Sequence, residues 1–283
     1  MLKVSYYPGC SLHGTAKEYD QSVKTVSRAL GVELKEIEDW SCCGATSGHA
    51  TNFKLSVALP ARNLVIAKGE AKEMMVPCAA CFNRFKSAQY HLRHDEALKK
   101  EVEEIVGQKY TPGLDVKSPI DILYNDIGLD ALKAKVVKKL TGLRPVSYYG
   151  CLLVRPPEVC NFEDYENPYM LDGILATLGA DVKNWSYKTD CCGGSLTISR
   201  TDIVGKLVDK LMTMAREAGA NCVVTACPVC MANLDARASE NLRLPVFYFT
   251  ELVALALGLP GTSTWFKLHN VDPLPLVSSL GLL

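Results

Sequence analysis

Cysteine is the chemically loaded residue of this chain: there are 12 in 283 residues, and ten of them fall into one pattern written twice. Cys10 is followed after 31 residues by the vicinal pair Cys42-Cys43, then after 34 by Cys78-x-x-Cys81. Cys151 is followed after 39 residues by Cys191-Cys192, then after 34 by Cys227-x-x-Cys230. The last four cysteines of each copy keep one offset of 149 residues. A period this long indicates duplication of a whole domain. A chain of this length builds its core without disulfide staples, so metal or redox chemistry is the expected use of the thiols.

Five thiols per copy narrow that chemistry. Zinc closes a tetrahedron with four ligands, so a structural zinc site leaves one cysteine over and makes awkward use of a vicinal pair. A thioredoxin-like dithiol at Cys227-Pro228-Val229-Cys230 uses two and leaves three. Vicinal disulfides at Cys42-Cys43 and Cys191-Cys192 are geometrically strained. An iron–sulfur cluster fits better, because several irons spread over a few ångströms can each take a thiolate from neighbouring residues.

The elements that must bring these thiols together are legible from hydrophobic periodicity. In the first half, short β-prone runs (Lys3 to Tyr7, Val32 to Ile37, Glu73 to Val76) alternate with helical stretches (Thr15 to Leu30, Phe53 to Lys68, Phe82 onward). The second half repeats this with Val146 to Tyr149, Asp181 to Trp185 and Cys222 to Thr225, separated by Tyr169 to Leu178 and Asp202 to Ala218. Further strand-then-helix units are expected at Ile120 to Ile127 and Val246 to Leu257, with Gly107 to Pro119 as a linker. Gly31 and Gly219 stand where helices should end.

The expected fold is therefore α/β: two pseudo-symmetric duplicated domains, residues 1–143 and 144–283, each with a mainly parallel sheet flanked by helices. The boundary falls after the charged helical run Ala131 to Leu140 and before the second Val-Ser-Tyr-Tyr word at 146–149, which echoes the one at 4–7. Each cysteine group follows a predicted strand. In a parallel sheet the carboxyl ends of the strands share one edge, which is where such sheets place ligands. The Cys-x-x-Cys groups open helices, whose N-terminal N–H groups favour thiolate.

Composition removes other classes. Lys+Arg and Asp+Glu number 31 each, so no basic excess points to nucleic acid or an anionic membrane face. The first ten residues lack a secretory signal, and the least polar stretch, Leu252 to Phe266, is broken by Gly258, Pro260 and Gly261 and falls short of the ~20 residues that span a bilayer. A cytoplasmic chain with no membrane anchor of its own is expected. No G-x-G-x-x-G or compact ferredoxin motif is present, so electrons must come from partners.

The doubled word C-x₃₁₋₃₉-CC-x₃₄-C-x₂-C resembles the twin cysteine-rich CCG domain found in the B subunit of heterodisulfide reductase. The flanking segments Ala61-Arg62-Asn63-Leu64-Val65-Ile66-Ala67, Leu123-Tyr124-Asn125-Asp126-Ile127-Gly128 and Val271-Asp272-Pro273 also resemble that protein. The resemblance implies two noncubane [4Fe-4S] clusters, one on Cys10, Cys42, Cys43, Cys78 and Cys81, the other on Cys151, Cys191, Cys192, Cys227 and Cys230. It implies a cleft between them where a small disulfide is reduced to two thiols, and two kinds of partner in one reductase complex, ferredoxin-like and flavin-containing. Ala45 stands where methanogen members tend to carry proline after the Cys-Cys-Gly word, so the disulfide is the coenzyme M–coenzyme B heterodisulfide of methanogenesis or a related one. CCG domains also resemble electron-transfer subunits of succinate, glycolate and lactate oxidising complexes, which is the alternative expectation.

Other residues read more plainly. Cys222 lies in an apolar run and is expected to be a buried strand residue, and Cys160 a spare thiol. His13 and His49 are near cluster ligands and are candidate proton donors. Arg62, Arg84, Arg155 and Lys188 are candidate contacts for an anionic substrate tail. The tyrosine pairs at 6–7 and 148–149 are expected to pack beside the cofactor, and Gly44, Gly193 and Gly194 to permit tight turns there.

Overall fold

The computed structural model describes residues 2–45, 48–69 and 71–283. Its first half is built on four strands, β1 (Leu2–Tyr6), β2 (Val32–Glu36), β3 (Glu73–Met75) and β4 (Asp115–Lys117), in the order β2-β1-β3-β4. The second is built on β5 (Pro145–Tyr148), β6 (Cys222–Thr225) and β7 (Val246–Tyr248), in the order β5-β6-β7. Every pairing is parallel. β6 is buried throughout and β1 over its last three residues, as parallel sheets covered by helices require. Thus β5 stands for β1, β6 for β3 and β7 for β4, and the α/β duplication expected from the cysteines is present.

The counterpart of β2 is missing. Residues Asp181 to Trp185 run beside β5, and the Asp181 and Lys183 amides donate to the Leu143 and Pro145 carbonyls at 2.9 and 2.8 Å, but no regular strand forms. Pro145 has no N–H to return, and the Ser147 carbonyl is taken by the Trp185 indole Nε1 at 2.9 Å. The ladder is therefore one-sided.

Three further expectations are corrected. The stretch assigned as a linker holds β4, a strand of three residues in which Val116 alone is buried apolar, too short to show a period. Residues Ile120 to Ile127 contain no strand. Ser118 and Asp121 form a capping box around Pro119, and a π-helix follows at Ile122–Ile127. The charged run beyond it is helical only over Leu129–Ala134.

The helical stretch after each last strand packs on the other half. The Phe249–Ala256 helix lies against the Lys17–Ala29 helix, with the hydroxyls of Ser22 and Thr250 2.7 Å apart in the core. Reciprocally, residues 119–134 lie against the Met170–Thr177 helix. A methyl on Gly173 would come within 2.9 Å of Tyr124. Lys17–Ala29 suits such a sandwich because Tyr19, Ser22, Val23 and Val26 form one buried stripe, and the helix stops at Gly31, whose φ of +80° only glycine adopts at ease.

Candidate functional site

All ten pattern cysteines are free thiols at the carboxyl side of the sheets. In the first site Cys10 follows β1 and Cys42-Cys43 follow β2, while Cys78 is the N-cap of the Ala79–His94 helix and Cys81 lies in its first turn. In the second, Cys151 follows β5, Cys191-Cys192 end the irregular segment beside it, and Cys227 caps the Pro228–Arg237 helix that carries Cys230. Burial is graded alike in both. Cys10, Cys42 and Cys191 are exposed and Cys151 is half-buried, whereas Cys43, Cys78, Cys81, Cys192, Cys227 and Cys230 are buried.

The sulfurs are strung in a chain. Cys43 Sγ is 3.1 Å from Cys81 Sγ, and Cys192 Sγ is 3.6 Å from Cys230 Sγ. Cys78 is in hydrogen-bonding contact with Cys81 and, across the seam between the halves, with Cys227. Cys151 similarly contacts Cys191. In the Cys43–Cys81, Cys192–Cys230, Cys227–Cys78 and Cys191–Cys151 contacts the first sulfur favours thiolate and its neighbour keeps the proton. Hydrogen bonds from Cys42 and then Cys81 pull Cys43 down to about 4, and one from Cys151 pulls Cys191 to about 6. Among the described residues no three His, Cys, Asp or Glu side chains close around a point as one metal ion requires. A donor set of thiols alone, linked pairwise over two adjoining sites, fits a group that spreads several metal ions, each taking its own thiolate.

The polypeptide keeps space free beside these sulfurs. A Cβ on Gly9 would lie 3.3 Å from Cys81 Sγ, and one on Gly150 would lie 2.9 Å from Cys230 Sγ. Both glycines have positive φ, +67° and +69°. Gly44 and Gly193 turn the chain so that their own amides donate to Cys42 Sγ and Cys191 Sγ, each at 3.3 Å.

Side chains then lock the loops. The Tyr7 hydroxyl donates to the Ser41 carbonyl at 2.8 Å, and the Tyr148 hydroxyl to the Asp190 carbonyl at 2.6 Å, in both cases just ahead of the vicinal pair. Buried Asn63 grips the same Ser41, accepting from its amide at 2.8 Å and donating to its carbonyl at 3.0 Å. Asn233 donates to the Cys192 carbonyl at 3.1 Å. Tyr19, buried at the seam, donates to the Ala226 carbonyl at 2.9 Å and lies 3.5 Å from that of Pro77, the residues preceding Cys227 and Cys78. Its ring stacks on Tyr248 at 4.1 Å. The contacts of Tyr19, Asn63 and Asn233 are not anticipated from sequence, since nothing in spacing distinguishes them from other helical residues.

The remaining candidates sort out clearly. Cys222 is a buried β6 residue and Cys160 a buried thiol 3.4 Å from Asn83 Nδ2, raised to about 11 chiefly by burial. Among the described residues neither thiol is hydrogen-bonded to a cysteine of the two sites. His13 is bound to Glu36 at 3.1 Å and edges onto Trp40, and His49 is exposed. Arg62 is paired with Asp39, Arg155 with Glu166 at 2.7 Å, and buried Lys188 with Asp172 at 3.0 Å. Arg84 has no carboxylate partner among the described residues; its hydrogen bond is to Asn83 Oδ1 at 2.7 Å. No helix of the described residues is long and apolar enough to cross a membrane.

Comparison with known proteins gives the same duplication. Residues 4–86 and 146–235 each match the family model described as the CCG cysteine-rich domain. The 8-methylmenaquinol:fumarate reductase membrane anchor subunit of Wolinella succinogenes is 30% identical, over 94% of this chain and 96% of its own length. An Archaeoglobus profundus protein named as like the B subunit of heterodisulfide reductase is 28% identical over 91% of each. The B subunit of the ferredoxin/F(420)H(2)-dependent CoB-CoM heterodisulfide reductase of Methanosarcina acetivorans is 25% identical over 91% of this chain and 90% of its own length. A crystal structure of a hypothetical protein from Helicobacter pylori shares the fold, with a TM-score of 0.72 at 9% identity; the match covers 95% of this chain and about half of that one, 51%.

Proposed function

Because the chain belongs to the cysteine-rich CCG-domain family, with the domain present twice and with relatives along most of its length named for the B subunit of heterodisulfide reductase, we propose that it is the disulfide-reducing subunit of a multi-subunit oxidoreductase. In this reading Cys10, Cys42, Cys43, Cys78 and Cys81 hold one noncubane [4Fe-4S] cluster and Cys151, Cys191, Cys192, Cys227 and Cys230 the other, with the domains divided between residues 143 and 144. Bound there, such clusters supply single electrons at two adjoining points, and R–S–S–R′ takes two electrons and two protons to become RSH and R′SH.

The observation that carries the reading is the matched grading of the two sites: inner sulfurs buried and meeting at Cys78 and Cys227, outer sulfurs at the surface. The buried thiols fix the metal group in a dry environment. Exposed Cys10, Cys42 and Cys191 leave its outer side open to a small molecule. Tyr7, Tyr148, Asn63 and Asn233 hold the vicinal pairs, and Tyr19 holds both Cys-x-x-Cys loops, so the two sites keep one separation through turnover. With no flavin fingerprint in the chain, electrons arrive from a ferredoxin-like and a flavin-containing partner. A cytoplasmic setting accords with free thiols throughout.

A second reading is favoured by the Wolinella relative, which at 30% identity belongs to a quinol:fumarate reductase. There the same two sites would pass electrons between partners without acting on a disulfide. Anaerobically purified protein separates the readings: iron, sulfide and zinc are measured, and the reduced protein is offered a panel of low-molecular-weight disulfides. Iron and sulfide with disulfide consumption are expected. Iron and sulfide without it would leave the electron-transfer reading, and zinc alone would remove both.

A further inference from the structure

Superposing the two sites through their constant offset of 149 residues exposes several positions where the two copies differ in charge, Asp39 against Lys188 and Lys86 against Asp235 among them. Arg84, one turn below Cys81, corresponds to Asn233, and Ser41, immediately before Cys42, corresponds to Asp190, immediately before Cys191. Side chains three apart on a helix share a face, and helical side chains lean toward the N-terminus, so Arg84 leans over the turn that bears Cys81. Its charge is felt at Cys43. The half-buried guanidinium has no carboxylate among the described residues to cancel it. The matching place in the second site holds a neutral carboxamide bound to Cys192. The cations nearest the second site are each balanced: Lys210 by Asp190 at 3.5 Å, Lys188 by Asp172 and Arg155 by Glu166.

The unbalanced charge of Arg84 acts in one direction. A reduced cluster carries one more negative charge than an oxidised one, and nearby positive charge in a low-dielectric setting stabilises it, whereas nearby negative charge opposes it. We propose that Arg84 makes the two sites electrically unequal, so that the first site has the higher potential and holds the first electron while the second is the later one to be reduced. The order of filling is then written into a side chain that ligates nothing. The inference rests on the cluster reading above and adds to it a direction.

The test is a redox titration of the full-length, anaerobically prepared protein followed by electron paramagnetic resonance, after iron and sulfide analysis. A Cys42→Ser variant, which perturbs only first-site ligation, assigns the signals. Two midpoints are expected, separated by at least about tenfold in reduced-to-oxidised ratio, ~59 mV for one electron. Arg84→Gln should lower the first-site midpoint by a similar factor and leave the second in place, and Arg84→Lys should restore it. Iron and sulfide present with midpoints that coincide, or with a first-site midpoint that ignores Arg84→Gln, overturns this proposal alone. Absence of iron and sulfide overturns the cluster reading, and this proposal with it.

Discussion

Replacing Tyr19 with phenylalanine tests whether its hydroxyl helps to hold the two halves in register at their seam. The substitution leaves the ring, and with it the stack on Tyr248 at 4.1 Å and 3°, and removes only the oxygen that donates to the Ala226 carbonyl at 2.9 Å. A neutral intramolecular hydrogen bond contributes about 0.5–1.5 kcal/mol net, and a buried acceptor left without its donor costs about 1–3 kcal/mol. Since carbonyls tolerate a missing partner better than amides do, a loss near 1–2 kcal/mol is expected. For a chain of this size that corresponds to a melting point lower by roughly 2–8 °C. The assay is matched anaerobic thermal melts of the two proteins, with iron per chain measured before and after mild chelation. Because the hydroxyl lies beside the residues preceding both Cys78 and Cys227, iron should be lost faster from both sites together. A melting point within 1 °C of the parent (a loss below roughly 0.5 kcal/mol) together with unchanged iron retention would refute the reasoning. So would loss confined to one site.

Three other outcomes follow from the same structure. Gly150→Ala places a methyl 2.9 Å from Cys230 Sγ at a φ of +69° and should strip metal from the second site, whereas Gly31→Ala, with φ of +80° but open space, should cost only about 1 kcal/mol of backbone strain and keep full iron content. Lys188→Met removes the partner of half-buried Asp172 and the donor to the Pro168 carbonyl; breaking so buried a pair should destabilise by about 3 kcal/mol in urea titrations. His269 and Glu251 form a pair with no side-chain exposure, 3.0 Å apart. Burial pushes His269 down, but the charge and hydrogen bond of Glu251 outweigh it and the net shift is upward. A raised folded-state value means the stabilisation is fully present below the unfolded value of about 6.5 and fades as pH rises through the folded one. Melting points should therefore fall above neutrality in the parent, and His269→Gln should flatten that slope.

How far the molecule was legible beforehand depends on the range over which each signal acts. The ten-cysteine pattern, the parallel α/β halves and helices such as Phe53–Lys68 come from period and composition, which are local. The repeated Val-Ser-Tyr-Tyr word misleads by one residue. Counting back from Cys10 and Cys151, the tyrosines that secure the vicinal pairs are Tyr7 and Tyr148, the second of one pair and the first of the other. Pro8 fills a place in the first copy that Tyr149 fills in the second. The absent second-sheet strand turned on the Trp185 indole reaching Ser147, a contact no window of sequence contains. Asn63 lay inside a flanking word that resembled the family, but its grip on Ser41 spans 22 residues and is visible only once the helix is packed. Of four basic residues offered as anion contacts, spatial neighbours alone showed that three are already neutralised.

The reciprocal exchange of terminal helices bears on how such a chain can be cut or assembled. Each half lends its last helical segment to the other and receives one in return, which is the geometry of a domain-swapped dimer with its two protomers joined by a peptide link. A fragment comprising either half alone would expose the apolar stripe of Tyr19, Val23 and Val26, or the bed of Met170 and Ile174, to solvent. Truncation at the midpoint therefore should not release two working modules. A gene encoding one copy would have to make its product as a pair, and fusing two copies would turn a concentration-dependent assembly into a permanent one.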